Sequence, residues 1–306
     1  MDARRKVELF RERPLRRGRS RAPHKGTVVA IGGHEDRVGD KHILRAVADR
    51  LGHDGKIVVC TVATGEPQEL WKEYEAAFRA LGVKHVYRLD IESREDASSE
   101  RAMRILEGAS GVFFTGGDQL KITSQIGDTP TYSRVREIYE QGGVVAGTSA
   151  GASVMSETML VSNSEEESYR IKSALLMAPG LGFASDTLID QHFSERGRMA
   201  RLVGAISQNP RVLGVGIDEN TALILEHDRS FRVLGAGAVY VVDGSKTTHS
   251  NIGEADTEET LSTFGIIVHM LSQGDVFDRS TRTPTAHPPE AMEKVEAAAK
   301  RGAVAR

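Results

Sequence analysis

The sequence predicts an α/β protein: a mostly parallel sheet covered by helices on both faces, with antiparallel hairpins added in its second half. Three observations predict it. Short apolar strands alternate with helical stretches of roughly 10–15 residues through the first half. Those strands are apolar at consecutive positions, as strands buried on both faces are. Three of them run into Gly-rich turns, at 32–33, 116–117 and 147–151, which sets the turns along one edge of the sheet.

The folded part is expected to begin at Gly26, with Thr27-Val28-Val29-Ala30-Ile31 running into Gly32-Gly33 and the polar loop His34-Glu35-Asp36-Arg37. Ile43, Leu44, Val47 and Leu51 then mark a helix by their spacing. Residues 56–62 form the next strand. It carries Cys60, the only cysteine, which reads as a packed, inert thiol and excludes an internal disulfide or an all-cysteine metal site. A helix over about 68–81 follows from Leu70, Tyr74, Ala77 and Leu81. A strand at 83–89, a helix at 98–108 and a strand at 111–115 lead into Gly116-Gly117-Asp118-Gln119. A helix around 132–141 precedes the apolar run into the 147–151 turn. Beyond it, 187–193 reads as a strand ending in polar groups. The stretches 212–217, 222–226 and 231–242 read as short strands separated by turns. No internal repeat and no second independent domain are visible, so the expected organisation is an arm (1–25), one α/β domain (26–278) and a tail (279–306).

A hydrophobic share of 39% and a charged share of 27% place the 306-residue chain among ordinary globular proteins, large enough to bury a substantial core. No run of 18 apolar residues offers a membrane span. The net charge of -3 hides an asymmetry: residues 1–25 carry ten Lys/Arg against three Asp/Glu, a net +7, which leaves -10 for the rest. This arm is either a solvated tail or a basic arm for an acidic partner. It has no signal-peptide core, and its Arg16-Arg17 pair is followed by Gly18-Arg19-Ser20-Arg21 rather than an apolar segment. The cytoplasm is therefore the expected compartment, with neither a membrane nor nucleic acid as an expected partner.

Chemistry is concentrated in Gly147-Thr148-Ser149-Ala150-Gly151, the G-x-S-x-G form of a nucleophile elbow at the end of a buried strand. The turn exposes the serine hydroxyl, and the Ala150 amide points at a developing oxyanion. Among ten histidines, His192 stands out: it follows an apolar strand end and sits among Asp190, Gln191, Phe193, Arg196, Arg198 and Arg201. A neutral imidazole there can take the serine proton and return it to a leaving group. The orienting acid stays open between Asp218 and Glu219, both at the end of an apolar strand, while Glu165, Glu166 and Glu167 read as an exposed loop. The arginine trio is either a solvated helix face or a clamp for carboxylates. Gln119 is a candidate substrate hydrogen-bonder and the Gly117 amide a candidate second oxyanion donor. Gly32-Gly33 lacks the spacing of a dinucleotide fingerprint, and His34-Glu35 lacks the second histidine of an H-E-x-x-H zinc motif, so no cofactor and no metal are expected.

Taken in order, Phe114-Thr115-Gly116-Gly117-Asp118-Gln119, Gly147-Thr148-Ser149-Ala150-Gly151-Ala152 and Asp190-Gln191-His192-Phe193 with Arg196, Arg198 and Arg201 resemble cyanophycinases, serine peptidases of the same clan as aspartyl dipeptidase. The resemblance runs from about Gly26 to Gly274. It implies a flavodoxin-like, three-layer fold akin to class I glutamine amidotransferases, and a triad of Ser149, His192 and Glu219. It further implies that Gln119, Asp190, Gln191, Arg196, Arg198 and Arg201 bind the β-linked Asp-Arg unit of cyanophycin, a poly-aspartate with arginine on its side chains. A homodimer is the expected assembly. The acidic segment 161–169 departs from the pattern. Two alternatives stand beside this reading: a related peptidase acting on short Asp-containing peptides, and a non-catalytic member that only binds. A glutamine amidotransferase needs cysteine where this chain has serine.

Overall fold

The computed structural model describes residues 25–161, 176–226, 229–253 and 259–287. The arm 1–24, the acidic run 165–167 and the tail from 288 lie outside the described residues. In chain order the first half contains β1 (Thr27–Ile31), α1 (His42–Asp49), β2 (Lys56–Cys60), α2 (Pro67–Ala80), β3 (His85–Leu89), α3 (Glu100–Leu106) and β4 (Gly111–Phe114). Then come α4 (Gln119–Ile126), α5 (Pro130–Glu140), β5 (Val144–Thr148) and α6 (Ala150–Ser153). The second half contains β6 (Thr158–Leu160), β7 (Met177–Pro179), β8 (Thr187–Gln191), α7 (Met199–Gln208), β9 (Leu213–Ile217), β10 (Thr221–Glu226), β11 (Ser230–Gly235) and β12 (Val239–Asp243). Short strands complete it: β13 (His249–Ser250), β14 (Thr263–Phe264), β15 (Ile267–Leu271), β16 (Val276–Asp278) and β17 (Thr283–Thr285).

The central sheet runs β17-β16-β11-β10-β1-β5-β4-β2-β3. From β1 through β5, β4 and β2 to β3 every pairing is parallel, and the strands from β10 outwards are added antiparallel. This is the flavodoxin-like α/β class, and the strand residues show why. Along β1, Val28 and Ala30 join one core with residues of α3, α4 and α5, whereas Val29 and Ile31 join a second core with α1 and α2. Both faces of each strand must be apolar because each packs against a helical layer. Cys60 is buried in the first of these cores, and burial pushes its thiol up to about 12, so it is inert at neutral pH.

Helix starts follow local chemistry. Ser99, Asp118 and Thr129 each cap a helix by accepting a backbone N–H, and Pro130 stands at the first position of α5.

Three features differ from the sequence expectation. The helix α4 had no counterpart, because only Ile122 and Ile126 face the core and Leu120 is exposed, leaving too sparse an apolar stripe to read. The second-half strands do not all extend the central sheet. β10 and β11 do, but β8, β9, β12 and β15 form a separate sheet of order β15-β12-β9-β8, with β8 and β9 parallel. Its inner residues Ile189, Val215, Ile217 and Val241 share the α3–α5 core, while α7 covers the opposite face through Leu202, Ala205 and Ile206. Strand pairing also continues past residue 278, since β17 pairs with β16.

Candidate active site

The carboxyl ends of β1, β4, β5, β8 and β9 meet at one place, although they belong to two sheets. Backbone hydrogen bonds stitch that meeting together. Ser149 N–H donates to Ile31 O at 3.0 Å, His192 N–H to Gly32 O at 2.9 Å, and Asn220 N–H to Gly33 O at 2.8 Å. The turn after β1 is thus the frame on which serine, histidine and acid are hung.

Ser149 follows β5 directly and has φ 53° and ψ -114°, a conformation L-residues avoid. The reversal into α6 is tight: a Cβ on Gly151 would lie 2.2 Å from the Phe114 carbonyl oxygen. Ser149, His34, His192 and Asn220 all have positive φ, as does Gly33, a concentration of strained backbone of the kind found at functional sites.

The side chains form one continuous chain. Ser149 Oγ lies 2.9 Å from His192 Nε2. His192 Nδ1–H donates to Glu219 Oε1 at 2.7 Å, which fixes the tautomer so that Nε2 is left to accept the serine proton. His192 is buried, and burial pushes its imidazole below its ordinary value. The Glu219 hydrogen bond opposes that shift, while the neighbouring charges of Arg196 and His34 add to it. Partial burial raises the Glu219 carboxyl, but the hydrogen bonds from His192 and His34 outweigh this and hold it below the usual carboxylate range. Asp218, the other candidate acid, faces elsewhere: it accepts Ser194 N–H at 3.0 Å and Ala238 N–H at 3.1 Å.

The remaining expected residues are placed as follows. Arg196 is exposed and lines the same small pocket as Ser149 and His192. Arg198 and Arg201 are buried and turned towards Asp190, which is 1% exposed. Arg198 Nη1 also donates to the Gln191 carbonyl at 2.6 Å, and Arg201 Nε donates to Asp190 Oδ2 at 2.7 Å. Burial lowers the Arg198 guanidinium to about 10 against the pull of Asp190. An open three-arginine clamp is therefore not the arrangement here; one arginine stands at the pocket and two are locked behind it. The Gln119 amide donates to the Leu160 carbonyl. Gly116 borders the serine, and a Cβ on it would come within 3.8 Å of Ser149 Oγ. Ala150 opens α6, so the helix itself has no use for its N–H.

Sequence reasoning missed the wall contributed by the loop after β1. Glu35 is 3% exposed, accepts Thr148 Oγ1–H at 2.5 Å, and accepts the Tyr74 hydroxyl. Burial and the Glu35 charge hold the Tyr74 phenol protonated well above its usual range. His34 Nδ1–H donates to the second oxygen of Glu219 at 2.9 Å. The signal available was position alone: Gly32-Gly33-His34-Glu35 ends a strand on the same edge as the elbow. A larger cleft, about 710 Å³ and lined by Arg211, Arg229, Arg279 and Arg282, lies at the amino ends of β8 and β9 and has no histidine on its walls. The 180 Å³ pocket over Ser149 is smaller but is lined by both Ser149 and His192.

A serine on a strained strand-to-helix turn, with an imidazole and a carboxylate in line behind it, defines a hydrolase of the serine-nucleophile class. The comparisons with known proteins specify which kind. A profile described as peptidase family S51 matches residues 28–233. Cyanophycinase from Synechococcus elongatus is 40% identical over 260 residues, covering 84% of this chain and 80% of that protein. Cyanophycinases from Trichormus variabilis and Geminocystis herdmanii are 39% and 36% identical over 86% of this chain, covering 89% and 97% of those proteins. A crystal structure of a peptidase from an acI-B1 actinobacterium has the same fold, with TM-score 0.63 and 20% identity over 84% of this chain and 98% of that one. The chain belongs to peptidase family S51, and the resemblance drawn from its three motifs holds. No helix among the described residues is long and apolar enough to cross a membrane.

Proposed function

We propose that the chain hydrolyses cyanophycin and releases β-Asp-Arg dipeptides, with Ser149, His192 and Glu219 as its triad. The observation that carries the reading is the unbroken hydrogen-bonded chain from Ser149 Oγ through both ring nitrogens of His192 to Glu219; cyanophycinases are also the named relatives. Ser149 Oγ attacks the aspartyl carbonyl carbon as its proton passes to His192 Nε2. Glu219 stabilises the imidazolium, and the amides of Gly117 and Ala150 hold the oxyanion, a contribution of about 10²–10³ in rate per donor. The C–N bond then breaks as His192 returns the proton to the leaving amine. Water attacks the acyl-serine by the same route in reverse. Arg196 pairs with a substrate carboxylate at the pocket, Gln119 contributes from the α4 side, and Asp190, Gln191, Arg198 and Arg201 hold the recognition segment in place. The enzyme works as a cytoplasmic homodimer and needs no cofactor.

One observation favours a second reading. The pocket over Ser149, about 180 Å³, suits a short peptide, as in a dipeptidase for Asp-containing substrates. Mass spectrometry of products from cyanophycin and from Asp-X dipeptides, with wild type and Ser149→Ala in parallel, separates the readings. Release of β-Asp-Arg by wild type alone supports the proposal, and turnover of the dipeptides only favours the second reading. Near-wild-type turnover by Ser149→Ala removes Ser149 as the nucleophile, and inert wild type on every substrate marks a binding member.

A further inference from the structure

Glu219 has two carboxylate oxygens and two imidazoles upon them. His192 Nδ1 takes Oε1 at 2.7 Å and His34 Nδ1 takes Oε2 at 2.9 Å. The His34 ring is 70% exposed and stands edge-on to the His192 ring, with centroids 5.2 Å apart at 75°. The serine-to-acid proton chain does not pass through it. His34, His192 and Glu219 nevertheless bring three metal-ligating atoms within 4.8 Å of one another.

Two histidines and one carboxylate are the donor set of an open zinc site, which keeps its fourth position for water. In a tetrahedron with bonds of about 2.0–2.1 Å, neighbouring ligands stand roughly 3.3 Å apart. The three donor atoms, all within 4.8 Å of one another here, reach that spacing by closing through about 1.5 Å or less, with the exposed His34 ring free to move. The exposed His34 edge supplies the entry path. Nitrogen donors favour zinc and its neighbours over magnesium or calcium, which prefer all-oxygen shells. Arg196 opposes a second cation at this pocket. Glu195, whose carboxylate accepts Glu219 N–H at 3.2 Å, offsets it.

We propose that His34, His192 and Glu219 form a binding site for one zinc-class divalent cation, and that the bound ion switches hydrolysis off. A neutral His192 carries its proton on Nδ1 and its lone pair on Nε2. An ion on Nδ1 needs the lone pair there, so the proton moves to Nε2 through solvent and the ring stays neutral, with no net proton released. Nε2–H then faces Ser149 Oγ and has no lone pair to accept the serine proton. The binding half of the inference stands on geometry alone, and the inhibition half rests on the triad reading above.

The test uses the full chain, first stripped with EDTA. Zn²⁺ is titrated by calorimetry, and Co²⁺ by its visible d–d absorption. Ser149→Ala retains every ligand and is expected to bind one ion per chain as wild type does. His34→Asn removes one ligand with a residue that tolerates the φ of 48° at this position. It is expected to weaken Zn²⁺ binding at least tenfold and to lose the Co²⁺ band. Hydrolysis by wild type is expected to fall with Zn²⁺ and recover with EDTA. In His34→Asn the Zn²⁺ concentration for half-inhibition, measured against that variant's own metal-free rate, rises at least tenfold. Absence of one-to-one binding in wild type overturns the site, as does binding unchanged in His34→Asn. Binding at this site without inhibition overturns the switch. If no substrate is turned over at all, the Co²⁺ spectra still decide the site while the hydrolytic reading fails separately.

Discussion

Ser149 is held at φ 53° because its N–H is tied to Ile31 O and its carbonyl already accepts the first bonds of α6. Backbone held in such a region costs of order 1–3 kcal/mol, which the surrounding β1–β5 pairing must offset. The cost places Oγ 2.9 Å from His192 Nε2, on a ring whose Nδ1–H Glu219 accepts. Replacing Glu219 by Gln leaves one acceptor oxygen where His192 and His34 each had their own, so the His192 tautomer is no longer fixed, and it removes the charge that would stabilise an imidazolium. We expect kcat to fall by about 10⁴-fold with the fold unchanged, checked by steady-state kinetics and circular dichroism. The pH profile follows from the same residue. In the proposed mechanism activity requires neutral His192, so it rises with pH through the His192 titration. Burial lowers that titration, so the acid limb of kcat/KM is expected below the ordinary histidine value of about 6.5. An acid limb centred above it would contradict the buried setting of the ring. Of the three proposed triad positions, Ser149 and His192 are legible in the sequence because each closes an apolar strand with a distinctive polar group. Asp218 and Glu219 are not separable in this way. They are adjacent, and only the turn between β9 and β10 decides that Asp218 accepts backbone N–H groups while Glu219 faces the imidazole.

At the scale of elements, the turn after β1 holds the site in register. Gly33 has φ 110°, and a Cβ there would lie 2.2 Å from His192 Cε1. Gly33→Ala is therefore expected to displace His192 and lower kcat at least about 100-fold, with a smaller loss of stability, measured by kinetics and thermal unfolding of one preparation. Asp36 braces the same turn by accepting N–H groups from Lys41, Gly39 and Val38, which hold its carboxyl down at about 2. The end of β8 and the start of α7 are joined instead by buried charge. Asp190 accepts hydrogen bonds from Arg198 and Arg201, all three nearly inaccessible. Asp190→Asn leaves two buried guanidiniums short of their counter-charge, and we expect a loss of about 3–5 kcal/mol in urea unfolding. If the loss is under 1 kcal/mol, these arginines are not held by Asp190. The arginine spacing 196, 198, 201 is plain in the sequence, but which guanidinium faces solvent is not. That depends on α7 lying against the second sheet, a packing no local pattern encodes.

Among the described residues the central sheet divides two large cores, the second sheet stacks on one of them, and α7 closes a third, smaller core on the far face of that sheet. Ile43 belongs to the α1–α2 core and Ile122 to the α3–α5 core. Ile43→Val and Ile122→Val are each expected to cost about 0.5–1.5 kcal/mol. Because the sheet separates them, the double variant should equal the sum within roughly 0.5 kcal/mol by urea denaturation. A larger deviation would mean the two cores respond to one another through the strands. Local pattern determined a good deal here. Consecutive apolar residues marked β1, β2, β4 and β5, helical spacing marked α1, α2 and α5, and the Gly-rich strand ends placed an elbow serine on a known edge. The order of those motifs carried the family. Tertiary structure alone decided that β8 and β9 leave the central sheet for their own, that two arginines are locked behind the pocket, and that Glu35 and His34 complete its wall. Apolar periodicity is written within a few residues, so a chain read by itself reveals its elements. Contacts such as His34 with Glu219, 185 residues apart, or Thr148 with Glu35, 113 apart, depend on strand order and sheet stacking, which come into being only when the cores close.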